Sequence, residues 1–332
     1  MPAATTPSAA GRRTLAVLVL IPVVAALALS IFAWPAARLA PRDLPVGVAG
    51  PAAAADAVER GLERHEGAFE IHRYADAGAA RAAIEDRDVY GAVVVTPSGT
   101  ELLTASAGSP VVAGLLREAV TAQAPTGAPV RVTDVVAAPA GDPRGAVLGA
   151  SLLPLALVGA AAGAATVLLG LRGARAVAIL VGAAALAGLV GAALADSWLG
   201  ALTGDWWAEA GVLGLTVLAI GSAFAGLATL LGKPGFGLGA ALTILFGNAF
   251  SGMSSAPELL PTGVGALGQW LPPGAGGSAL RSVSAFDGAA AGRPLLVLSL
   301  WVVAGLAATA LGARRRRAET ASAPAQTPVP VG

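Results

Sequence analysis

TLAVLVLIPVVAALALSIFAWPAA, residues 14–37, carries no charged side chain from end to end. A helix that crosses a bilayer needs about 20 such residues in a row. Five further charge-free runs are long enough: Gly145–Leu171, Ala176–Ala195, Ala210–Gly232, Pro234–Pro257 and Pro294–Ala313. The pattern predicts six transmembrane helices, Thr14–Trp34, Ala146–Leu171, Ala176–Ala195, Ala210–Leu231, Gly235–Ala256 and Leu295–Ala313. Buried helices of a soluble core would need charged faces between them, and these runs have none. The first run is longer than the apolar part of a usual signal peptide, and no clean A-x-A site follows it directly. It reads as an uncleaved signal anchor.

Composition agrees. Of 332 residues, 55% are hydrophobic and only 12% are charged, where a soluble domain carries roughly a quarter. A net charge of +1 gives no bulk case for nucleic-acid binding. With no cysteine, disulfide frameworks, thiol nucleophiles, iron–sulfur clusters and Cys-type zinc sites are excluded. The excess of Arg over Lys is what a high-GC bacterial genome would give.

The short loops set an expected orientation. With the N-terminus cytoplasmic, the inner side holds Arg12, Arg13, Arg172, Arg175, Lys233 and Arg314 to Arg317, with Glu319 as its one acid. The reverse orientation would put every short Arg-rich loop outside. All six tryptophans, Trp34, Trp198, Trp206, Trp207, Trp270 and Trp301, then fall on the outer side, as one aromatic belt would. The expected location is the plasma membrane, multi-pass, with both termini cytoplasmic: residues 1–13 at one end and a basic, then disordered, tail at 314–332.

Between the first two helices lies a soluble insert, residues 42–145. Leu44–Ala49 reads as a strand, Asp56–Glu66 as a helix, Phe69–Tyr74 as a half-buried strand and Ala77–Asp86 as a helix. Ala92–Thr96 reads as a buried strand, Pro97 to Gly99 as a turn and Glu101–Ala105 as a strand. Pro110–Ala122 reads as a helix and Val130–Ala137 as a last strand. Such alternation implies a small extracytoplasmic α/β domain. The expected fold is therefore an α-helical polytopic membrane protein: six spans, the insert between the first two, and a five-helix domain over 146–313. The outer loop of that domain, 257–293, holds Leu260-Pro261, Trp270 to Pro273 and a glycine cluster at 274–277. Apolar, proline-interrupted stretches of this kind lie in the membrane interface or re-enter it.

Little in the chain promises chemistry. His65 and His72 sit in the insert and read as solvated surface. Gly226 to Pro234 superficially matches a phosphate-binding loop, but five residues separate its glycines instead of four. Pro234 also stands where a magnesium-holding hydroxyl belongs. No ATP-hydrolysing module, no enzyme and no cofactor is expected. The predicted spans contain no Asp, Glu, Lys, Arg or His, which argues against a proton antiporter built from this chain alone. Ser222, Thr243 and Asn248 supply mild polarity, and are the residues to consider for a translocation path. Gly145/Gly149, Gly159/Gly163 and Gly235/Gly239 are G-x-x-x-G pairs, which let helices approach closely within a chain or in a homodimer or heterodimer.

One anchor helix, an outer domain, then five helices with a proline-rich outer loop before the last: this layout resembles type-2 ABC transporter permeases and the related phage-infection-protein (YhgE/Pip) membrane family. Leu44 to Ala49 follows the first helix where those families start a strand. Ala80–Asp86 with Tyr90 to Pro97 is similar to their helix, aliphatic strand and proline unit. Leu271-Pro272-Pro273 with Ala279-Leu280-Arg281 and Gly288 resembles the segment before their last helix. The resemblance implies a membrane subunit of an exporter for a lipid, peptide or drug, with a separate ATPase subunit docking on Arg12, Arg13, Arg172, Arg175 and Lys233. The inner loops depart from the permease pattern: Arg172 to Arg175 and Gly232 to Pro234 leave little surface for a coupling helix. That departure favours the alternative, a YhgE/Pip-like surface-displayed binding or scaffold protein without transport activity.

Overall fold

The computed structural model describes residues 9–97, 99–123 and 130–322, with the side chains of 9–13, 313 and 315–322 outside that description. Two bodies stand out, a bundle of long apolar helices and a five-stranded sheet domain at one end of it.

The sheet domain comprises β1 (Leu44–Ala49), α2 (Ala52–Glu63), β2 (Phe69–Tyr74), α3 (Ala77–Glu85), β3 (Gly91–Thr96), β4 (Gly99–Thr104), α4 (Pro110–Gln123) and β5 (Arg131–Asp134), after α1 (Ala9–Ala36). Strand order is β2-β1-β3-β4-β5. β1 lies parallel to β2 and to β3, β3 and β4 form an antiparallel hairpin, and β5 joins β4 in parallel. Both faces of β1 are covered, so Leu44, Val46, Val48 and Ala49 are all buried, as expected of a central strand in a sheet with helices on both sides. On one face Leu44, Val46 and Val48 pack with Leu62 of α2 and with Val112 and Leu116 of α4. On the other, Ala80, Ala83 and Ile84 of α3 cover Ala49, Ala92 and Val94. Asp76 caps α3, its carboxylate accepting from the amide of Ala79. The turn expected at 97–99 has Ser98 outside the described residues. The last strand is shorter than expected: the Val135 amide still donates to the Thr104 carbonyl, but the backbone bends there and Val135 and Val136 pack against the second core.

The two faces are closed by residues far along the chain. Ala256 and Leu259 complete the first core, and Phe286 the second. Arg42 reinforces the junction, donating to the carbonyls of Leu259 and Leu260, each at 2.9 Å, and to that of Arg38.

The bundle contains α5 (Ala146–Leu168), α6 (Ala174–Ala192, continued by a π-helical segment Ala193–Trp198), α7 (Trp206–Leu231) and α12 (Gly292–Ser322). With α1 these give, among the described residues, five helices long and apolar enough to cross a membrane: Thr14–Ala36, Ala146–Leu168, Ala174–Trp198, Trp206–Leu231 and Gly292–Gly312. The protein is therefore a membrane-embedded, mostly helical chain. α7 is the hub, buried along most of its length by α5, α6 and α12. Glycine makes this possible. A Cβ on Gly163 would lie 2.4 Å from the carbonyl oxygen of Gly221, one on Gly188 2.3 Å from that of Ala210, and one on Gly305 2.4 Å from that of Ser222. Gly159, Gly235 and Gly239 also pack within the chain, against Ile220, Leu227 and Phe224.

The segment expected as a span over Gly235–Ala256 is divided. α8 (Lys233–Ala240), a π-helical segment Ala241–Phe246 and α9 (Gly247–Ala249) run together for eight, six and three residues, and the helix then stops. Phe250 to Ala256 form a turn in which Gly252 adopts φ 69°. A short helical turn at Pro257–Leu259, α10 (Val264–Gln269) and α11 (Pro272–Ala285) follow. Pro272 and Pro273 open α11, where a missing N–H costs nothing. α11 is buried over most of its length against the ends of α7, α12 and α5. The expected outer loop is thus a folded plug, to which the sheet domain is fastened.

Two other expectations change. The observed spans reach further than the charge-free runs, so Asp196 and Glu209 lie within them at the sheet-domain end. Glu209 is fully buried, with one carboxylate oxygen accepting from the Gly204 amide at 2.9 Å. Helix α12 also continues past Arg317 to Ser322, where an unstructured tail was expected. Residues 323–332 lie outside the described residues.

Candidate functional site

A cleft of about 600 Å³ opens where the sheet domain meets the plug. Its walls include the loop after α3 (Arg87, Asp88, Tyr90), the plug (Glu258, Gln269, Arg281) and the start of α12 (Arg293, Pro294), with Pro45 of β1 and Ala105 and Gly108 after β4. A second cavity of about 290 Å³ shares Glu258, Gln269 and Arg293 with it and reaches Arg42.

Arg87 follows the C-cap of α3 with φ 64°. Glycine usually takes that left-handed position, since a side chain is strained there. What the arginine gains is a reach across the domain junction. Its guanidinium donates to the carbonyl of Ser278 at 3.1 Å and to the Ser282 hydroxyl, and stacks 5.2 Å from the Phe286 ring centre. Burial pushes its pKa below the ordinary arginine value.

Tyr90 donates its hydroxyl to the Glu258 carboxylate at 2.8 Å. Burial, and then the neighbouring Glu258 charge, push the phenol well above its usual range. It stays protonated and keeps donating at any physiological pH.

Arg281 is the most confined of the group, 4% exposed, in the middle of α11. One terminal nitrogen donates to the Met253 carbonyl at 3.0 Å, while its Nε is buried without a partner. Burial lowers its pKa to about 10, so it remains charged at neutral pH. Arg293 stands at the exposed rim, 5.5 Å from the Trp270 ring centre. Among the described residues none of these three guanidiniums is paired with a carboxylate; Arg73 pairs with Asp56 and Glu59, and His72 lies 3.4 Å from the Glu70 carboxylate. Glu258 and Asp88 also face the cleft; Glu258 accepts from Tyr90 and acts electrostatically on Arg87 and Arg281 without pairing with either.

The residues singled out from sequence lie elsewhere. Arg172, Arg175 and Lys233 are exposed at the opposite end of the bundle, and the side chains of Arg12 and Arg13 lie outside the description. Ser222 and Thr243 are fully buried, and each hydroxyl donates to a carbonyl of its own helix, Leu218 and Gly239 respectively, at 2.7 Å. Asn248 lines a cavity of about 190 Å³ between the end of α1 and the plug. These three are not brought together. The phosphate-loop lookalike lies mostly in α7, with Gly226 inside the helix against Gly305 and Gly232 at its end. His65 packs edge-on against Phe69.

The cleft residues had one usable signal: Arg281 is the single charge between Glu258 and Asp287, an isolated guanidinium in an Ala/Gly-rich helix. No family model, curated protein or solved structure matches the chain.

Proposed function

We propose that this chain is the membrane subunit of an exporter resembling type-2 ABC permeases, moving an amphiphilic substrate across the plasma membrane. In this reading the chain passes the bilayer six times, the helix over 233–249 being the sixth crossing. The termini are cytoplasmic and the sheet domain is extracytoplasmic. The observation that carries it is the cleft of about 600 Å³ at the bundle end, walled by both the sheet domain and the plug. A molecule with one charged and one apolar part finds both surfaces there. A separate ATPase would contact Arg12, Arg13, Arg172, Arg175, Lys233 and the far end of α12. At about 1.5 Å per residue, the 31 residues of α12 extend past the bilayer thickness and enlarge that face.

Affinity purification of the tagged chain from its native membrane tests this. An ATPase that copurifies, together with loss of export of an amphiphile on deletion, is the expected result. Neither occurring would overturn it. The short connections at the far end, residues 169–173 and Gly232, favour a second reading, a YhgE/Pip-like surface-displayed binding or scaffold protein. Deleting residues 42–145 would then abolish a surface phenotype without any change in export.

A further inference from the structure

We propose that the cleft between the sheet domain and the plug is a binding site for a phosphate-type oxyanion, in the form of an amphiphile's head group or the free ion, held by Arg281, Arg87 and Arg293. The inference rests on the reading that the cleft takes the substrate, and it names the chemistry of the substrate's polar end.

Charge comes first. Three guanidiniums line one cavity, and none has a carboxylate partner among the described residues. Buried charges are ordinarily paired or hydrogen-bonded throughout, because desolvating an ion without compensation is costly. Arg281 departs from that rule. It is almost wholly buried, its Nε has no partner, and its one hydrogen bond goes to a backbone carbonyl. An oxyanion in the cleft would supply the missing charge. The planar guanidinium fork is also the side chain best matched to phosphate oxygens.

The two carboxylates facing the cleft do not balance it. Glu258, which accepts from the Tyr90 hydroxyl at 2.8 Å, acts on both Arg87 and Arg281 without pairing with either, so it is one carboxylate before three guanidiniums, and Asp88 is exposed at the edge. Positioning is built in as well. Arg87 occupies a strained left-handed backbone position and is fixed by Ser278, Ser282 and Phe286. Arg281 is fixed by the Met253 carbonyl within a helix that is itself buried. The rim carries apolar surface for the rest of an amphiphile: Trp270, against Arg293, is more than half exposed.

The test uses the purified full chain in nonionic detergent, with melting temperature and equilibrium binding as readouts. The probes are inorganic phosphate, dioctanoyl phosphatidic acid and, as the uncharged control, dioctanoylglycerol. The phosphatidic acid should raise the melting temperature and bind at least tenfold more tightly than dioctanoylglycerol. If inorganic phosphate binds as well, the site takes the free ion; if only the phosphatidic acid does, it takes a lipid head group.

Arg281→Gln should abolish that preference, and Arg293→Gln should weaken it at least fivefold. Arg117→Gln, on the exposed surface of α4 away from the cleft, should leave it intact. Should Arg281→Gln fail to fold, Arg293→Gln decides, since its side chain is exposed. Equal binding of the charged and uncharged lipids, or unchanged binding in Arg293→Gln, would overturn the proposal. No transport or ATPase is involved in this measurement, so its failure is distinct from failure of the export reading.

Discussion

Helices α1 and α7 both qualify as membrane spans, and they are built for opposite surroundings. The apolar stretch of α1 has a mean hydropathy of 2.9 and none of it is buried within the chain; α7 has a mean hydropathy of 1.9 and is 72% buried. The more hydrophobic helix is the less buried. In water the order would be reversed. In a bilayer, lipid is as apolar as leucine, so hydrophobicity does not drive helices together, and close packing of small residues does. α1 is a run of Leu, Val and Ile facing outward, touching the rest of the chain mainly near its end, where Phe32 and Pro35 meet the loop after α9. α7 carries Gly214, Gly221 and Gly226 at its contacts with Ala184, Gly159 and Gly305. Hydropathy thus locates a span, and the distribution of glycine and alanine says which span is the hub.

The comparison can be broken most sharply at Gly305. Leucine there would drive a side chain into the backbone of Ser222, and overpacking of this kind costs about 3 kcal/mol or more. Gly305→Leu should therefore yield little folded protein by size-exclusion chromatography. Leu20→Ala, which removes apolar surface from the outward face of α1, should change unfolding free energy by less than about 0.5 kcal/mol. Equal losses for the two would refute the contrast.

A second region sharpens it. Unlike α1, the sheet domain has a water-type core, and that core borrows Leu259 from the plug. Leu259→Ala should destabilise by about 2–4 kcal/mol, read as a lower melting temperature and faster amide exchange in β1. A smaller effect than at Leu259 is expected at Tyr90→Phe. Losing one hydrogen bond to a charged acceptor there should cost about 1–2 kcal/mol and should loosen the domain junction, detectable by limited proteolysis near Glu258. If Tyr90→Phe proved as harmful as Gly305→Leu, the junction and not the bundle would be the stabilising feature.

Much of the fold was legible. Leu44–Ala49 and Phe69–Tyr74 fall where the sequence pattern puts them. The bilayer length requirement located five helices, because a charge inside a span is costly wherever the helix sits. Boundaries drifted where tertiary contacts override the local signal. Asp196 and Glu209 were excluded from the predicted spans as charges. The helices reach them because Glu209 finds the Gly204 amide and because residues beyond the charge-free runs still have helical backbone partners. The run 235–256 reads as one helix by apolarity. It ends at Ala249 because the chain turns at Gly252 to begin the plug. The site was not legible. Arg87 bonds to residues 191 and 195 positions away, and Tyr90 to one 168 positions away.

By itself, then, the order of amino acids determined that this chain enters a membrane, where its apolar helices run and that an α/β unit is inserted after the first. Those properties follow from solvation, which acts on each segment independently of its neighbours. Only the tertiary structure decided which span is the hub, that the long loop is a plug sealing both faces of the sheet, and that three arginines from separate elements share one cleft. Those depend on contacts between distant residues, and such contacts leave no periodic mark in either partner's sequence.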